Sequence, residues 1–63
     1  MSRQLSWRER GDVVEEARSL ARGGYDRAFA ETELRRFFPQ ARCQTFIDQV
    51  LYHYYDNADE NAA

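Results

Sequence analysis

The chain holds one thiol, Cys43, and one imidazole, His53, and these are the residue types most able to carry chemistry at neutral pH. A cysteine nucleophile needs a base within hydrogen-bonding reach. Both residues fall in a stretch that reads as one helix, where ten positions are about 15 Å at 1.5 Å per residue. They cannot share a proton. Cys43 also opens an apolar stripe, where a buried thiol behaves as a small hydrophobe.

Metal chemistry is no better supported. One Cys and one His fall short of the ligands a zinc site uses. Asp56-Asn57-Ala58-Asp59-Glu60 has the composition of a calcium loop without its alternating ligand positions, turn glycine or distant glutamate. Gly23-Gly24 is not a phosphate loop, because it lacks that motif's spacing and reads as a helix stop. Neighbouring carboxylates such as Glu15 and Glu16 point to different sides of a helix, and Glu15 is spaced to pair with Arg18 on the surface. The expectation is a non-enzymatic chain with no catalytic residues, no metal, no cofactor and no small-molecule substrate.

The elements that position the remaining side chains follow from periodicity. Ser6-Trp7-Arg8-Glu9 has capping-box spacing, and Asp12 offers a second start. Val13, Val14, Ala17, Leu20 and Ala21 then follow one helical face, with Trp7 a heptad before Val14. A helix over about 7–22 is predicted, fraying or bending at Gly11 and stopped with Gly23 in the left-handed C′ position. Residues 23–31 read as a loop with Phe29 tucked inward, the alternative being a helix from Arg27 capped by Asp26. In the loop reading Thr32 caps a short helix over 33–38, where Leu34, Phe37 and Phe38 share a face and Pro39 ends the element. Cys43, Phe46, Ile47, Val50, Leu51 and Tyr54 mark the inner side of a third helix over 42–56. Residues 57–63 carry nothing to bury and read as a frayed acidic tail. The fold class is all-α: one small three-helix domain over 1–56, with the tri-helical arrangement of a helix-turn-helix as a variant.

Size and charge narrow the function. Sixty-three residues make one domain at most, and a domain of that length buries only about 60% of the surface its unfolded chain exposes. Small cores of this kind are often completed by another chain, so self-association or a protein partner is expected. A lone cysteine cannot form an internal disulfide, no apolar run is long enough for a membrane span, and the first residues lack a secretory signal's apolar stretch. The cytoplasm is the expected location.

All nine basic residues are arginine, and the net charge is −2. Residues 1–42 hold every arginine and seven of the eleven acids, whereas residues 43–63 hold four acids and no arginine. An acidic chain makes a poor non-specific nucleic-acid binder, because phosphate neutralisation supplies most of that affinity.

Two surfaces remain. Tyr52-His53-Tyr54-Tyr55 spans nearly a full helical circumference, so not all four can face one core. If Tyr54 is inward, then Tyr52, His53 and Tyr55, joined by Tyr25 from the loop, are the candidate contacts to a protein partner or a second copy; tyrosine supplies interface area with a polar tip. The second surface is the helix pair around Pro39, which has helix-turn-helix spacing. It would offer Arg42, Thr45 and Gln49 to base edges and Arg35 and Arg36 to phosphates, with Asp48 standing against it. The leading reading is a small protein-interaction module, a regulator or inhibitor that occupies a partner's surface. The alternative is a dimeric DNA-binding regulator.

The run Leu34-Arg35-Arg36-Phe37-Phe38-Pro39, followed by Ile47 and Leu51, resembles the Phe-Pro region of ubiquitin-binding CUE domains. That family's pattern implies a further helix ending in a dileucine, where this chain has Asn-Ala-Asp-Glu-Asn-Ala-Ala. The chain is not assigned to the family.

Overall fold

A computed structural model describes residues 5–56, and the tail expected over 57–63 lies outside them. Three α-helices follow in order, α1 (Trp7–Arg22), α2 (Arg27–Phe37) and α3 (Ala41–Leu51), and a single π-helical turn (Tyr52–Asp56) continues α3. Each helix packs on the other two, and the π turn packs on α1. The all-α three-helix expectation holds.

Local chemistry sets each boundary of α1. The Ser6 side chain accepts from the Glu9 N–H and the Glu9 carboxylate accepts from the Ser6 N–H, both at 3.1 Å, which is the capping box read from the sequence. The helix runs unbroken through Gly11, so the expected fraying or bend is absent. At the other end Tyr25 N–H donates to the Leu20 carbonyl and Gly24 N–H to that of Ala21, both at 3.2 Å. This is a Schellman motif, and it places Gly24, at φ +83°, in the left-handed position. Gly23 stays right-handed at φ −75°, which shifts the expected C′ glycine by one residue.

The largest departure lies at residues 23–31. Asp26 accepts from the Phe29 N–H at 2.8 Å and starts α2 directly, so the helix begins at Arg27 and not after Thr32. Thr32 sits in mid-helix, where its hydroxyl donates to the Ala28 carbonyl. The longer helix brings Ala30 into the core beside Leu34 and turns Phe29 outward, 44% exposed. At the far end only Phe38 packs on the core, and Phe37 is left 55% exposed. Gln44 fixes the turn into α3: its amide donates to the Phe38 and Gln40 carbonyls, and its oxygen accepts from Arg35 at 2.7 Å.

Val13, Ala17, Leu20, Ala30, Leu34, Cys43, Ile47, Val50 and Leu51 form the buried core. The α3 stripe faces inward as expected, with Phe46 and Tyr54 at its margin. On α1 the inner line is Val13-Ala17-Leu20, which Val14 and Trp7 flank. Trp7 is consequently 86% exposed, and Leu5 packs against the core. The expected Glu15–Arg18 pair does not form among the described residues.

Arginine–carboxylate bonds cross-brace the helices. Arg35 bonds Asp48 at 2.6 Å and Arg27 bonds Asp56 at 2.9 Å, with Glu31 bridging both arginines along α2. Arg27, Glu31 and Arg35 thus run antiparallel to Asp48, Tyr52 and Asp56, and the register puts Tyr52 level with Glu31. Four residues overshoot one turn of α-helix but fall short of the wider π turn. The change of pitch at Tyr52 therefore returns Asp56 to the line of Asp48.

A third brace joins the starts of α1 and α3. Arg42 binds both Glu9 oxygens through Nε, at 3.3 and 3.2 Å, and adds a closer contact through Nη2. This guanidinium and the Ser6 N–H hold the Glu9 carboxyl down to about 2, from an ordinary 4.5. A lowered folded-state pKa means the stabilisation is complete above the ordinary value and is lost as pH falls through the folded one. Melting temperature should therefore decline between about pH 4.5 and about pH 2. In Glu9→Gln, which keeps a capping acceptor and loses the charge, the decline should be shallower. Thermal melts followed by circular dichroism across that range check this, and an equally steep decline in the variant would count against the brace.

Candidate functional site

The structure separates the side chains expected to meet a protein partner. Tyr25 is 50% exposed and stacks on Phe29, with ring centroids 4.8 Å apart and planes at 22°. Gly23 makes room for that ring, because a Cβ there would come within 2.9 Å of Tyr25 Cε2. Tyr52 is 47% exposed. His53 is exposed, its ring edge-on to Tyr54 at 4.8 Å. Tyr55 goes the other way: it is half-buried against the core, and its hydroxyl is buried with no hydrogen-bond partner among the described residues. Burial pushes its pKa up. Tyr25, Tyr52 and His53 are exposed, whereas Tyr55 is half-buried against the core.

The sequence reading missed Phe29, Phe37 and Trp7 as surface groups. All nine aromatic side chains lie outside the fully buried core: Trp7, Tyr25, Phe29, Phe37 and Tyr52 are 44–86% exposed, and the others are partly covered. The local signal for Phe29 was Asp26 three residues before it, since a capped start there makes Ala30 and Leu34 the inner line of α2 and excludes Phe29 from it.

The residues considered for DNA are divided by their ion pairs. Arg35 is held by Asp48, Glu31 and Gln44, and the carboxylates of Asp48 and Glu31 raise its pKa. Arg42 is held by Glu9, which raises its pKa likewise. Arg36 is 76% exposed at its side chain and only loosely placed, 3.9 Å from Glu33. Thr45 and Gln49 are exposed on α3 and line a shallow groove of about 250 Å³ with Leu5, Arg10, Arg42 and Phe46. Arg10 lies over the Trp7 ring, 5.5 Å from its centroid, and has no carboxylate partner among the described residues.

Cys43 is buried as a free thiol, and burial raises its pKa. Among the described residues no group of three or more His, Cys, Asp or Glu side chains is placed to hold a metal ion. None of the described helices is long and apolar enough to cross a membrane. Comparison with protein-family models, curated proteins and solved structures finds no match for the chain.

Proposed function

We propose that the chain is a non-enzymatic protein-interaction module that works by laying aromatic surface against a partner protein. The observation that carries this reading is the inversion of its apolar residues. Among the described residues the buried core consists of aliphatic side chains, alanine and one cysteine, while five of the largest apolar groups, Trp7, Tyr25, Phe29, Phe37 and Tyr52, are 44–86% exposed. A Phe, Tyr or Trp side chain buries on the order of 150–250 Å² when covered. Such groups are enriched at the centres of protein interfaces. Tyr25, Phe29 and Phe37 on or beside α2 are the principal contact residues, with Tyr52 and His53 on the neighbouring turn.

The test is affinity capture with the tagged chain from native lysate, with and without nuclease, comparing wild type with Tyr25→Ser/Phe37→Ser. A protein retained by wild type after nuclease and lost by the variant is the expected result. Equal recovery by both, or recovery abolished by nuclease, would remove the reading.

DNA recognition is the second reading, favoured by the grouping of Arg10, Arg42, Thr45 and Gln49 on one groove. It ranks below the first because Arg35 and Arg42 are already neutralised by carboxylates. It predicts a duplex complex at about 50 mM salt that dissociates as salt rises. Failure to bind duplex DNA at that ionic strength would exclude it.

A further inference from the structure

The geometry points to a second copy of this chain as an occupant of the aromatic flank of α2, packed antiparallel about a two-fold axis at Glu33. This deepens the interaction-module reading and rests on it. Phe29, Glu33 and Phe37 follow one another at intervals of four on a single flank of α2. The two phenylalanines, 44% and 55% exposed, are equidistant from Glu33 and about 12 Å apart along the axis at 1.5 Å per residue. A two-fold interface requires that whenever residue i meets residue j, j also meets i. A helix with this pattern satisfies the condition against itself: Phe29 of each copy meets Phe37 of the other. Tyr25, stacked on Phe29, backs that ring from one side.

The charges on the flank are complementary in the same arrangement. Glu33 is mostly covered, 19% exposed at its side chain, whereas Arg36 is 76% exposed and 3.9 Å away. In the antiparallel pair each Arg36 lies less than one turn from the axis, beside the other copy's Glu33. Two glutamates and two arginines then surround the axis with no net charge. A strongly acidic or basic partner would face the like-charged member of the Glu33–Arg36 pair.

Sedimentation equilibrium of the full chain, from micromolar to millimolar, tests this. Wild type should show a reversible monomer–dimer equilibrium. R36E places four like charges around the axis and should weaken it about 100-fold, and Phe29→Ser/Phe37→Ser should abolish it. The double reversal E33R/R36E restores the alternation of sign and should recover the dimer to within about 10-fold of wild type. Circular dichroism of each variant accompanies the measurement, and Phe37→Ser provides a version without any charge change at the helix end. A wild-type chain that stays monomeric, an R36E chain that dimerises normally, or a double reversal that fails to recover while still folded would each overturn the proposal. If the chain is monomeric yet Tyr25→Ser/Phe37→Ser loses a different captured protein, the dimer fails and the interaction module stands. If capture is also unchanged, both fail.

Discussion

Ile47→Ala is expected to leave the chain largely unfolded at room temperature. Ile47 is fully buried at the middle of the α3 stripe, with Cys43, Val50 and Leu51 around it in one cluster. Truncating a buried isoleucine to alanine removes its transfer free energy and leaves a cavity that neighbours only partly fill, at a cost of about 2–5 kcal/mol. Stability of about 0.05–0.15 kcal/mol per residue gives a domain this short only a few kcal/mol in total. The loss is therefore comparable to the whole. Urea titration followed by circular dichroism should show the wild-type transition replaced by a sloping baseline with little helical signal. A cooperative transition with an unchanged midpoint would mean that α3 does not form the inner wall.

Ala30→Leu should cost about 1–3 kcal/mol, the usual penalty for forcing methylenes into a packed interior. Ala30 has no exposed surface, and it shares the core with Leu34 and Ala17. The prediction is diagnostic because the two readings of residues 23–31 disagree about it. In a surface loop, leucine at position 30 would be neutral. In a helix starting at Arg27, the added branch meets the opposing core. The same urea titration reads the difference: a lower midpoint with an unchanged slope is expected, and an unchanged midpoint would favour the loop.

These two positions also show how far the fold was legible from sequence. The α3 stripe was clear because Cys43, Ile47, Val50 and Leu51 keep helical spacing over an extended run, and no competing pattern overlaps them. The Ser6–Glu9 capping box was clear because both partners are local. Residues 23–31 were ambiguous because Ala30 is small and contributes little to an apolar pattern, while Phe29 dominates it and is outside. Propensity counts the larger side chain; packing chose the smaller one because it lets helices approach closely.

The candidate surface was legible only in part. Tyr52 stands out because four consecutive bulky residues cannot all face one core, and Tyr25 because it reads as a loop residue. Phe37, three residues from Leu34, reads as inward, yet it is 55% exposed, and the next residue, Phe38, packs against the core instead. Trp7 reads as inward by its heptad relation to Val14, which itself lies at the edge of the buried line. The ion pairs Glu9–Arg42, Arg35–Asp48 and Arg27–Asp56 join residues far apart in sequence. No local pattern marks them, and they remove Arg35 and Arg42 from the set of unengaged cations.

The inversion of apolar residues is tested most directly by hydroxyl-radical footprinting, read residue by residue by mass spectrometry, in dilute protein. Tyr25, Phe29 and Phe37 should label readily in wild type while Val13, Ile47 and Leu51 stay unmodified, and Phe29 and Phe37 should become protected as concentration rises. Strong protection of both phenylalanines at the lowest concentration, where the chain sediments as a monomer, would contradict the account.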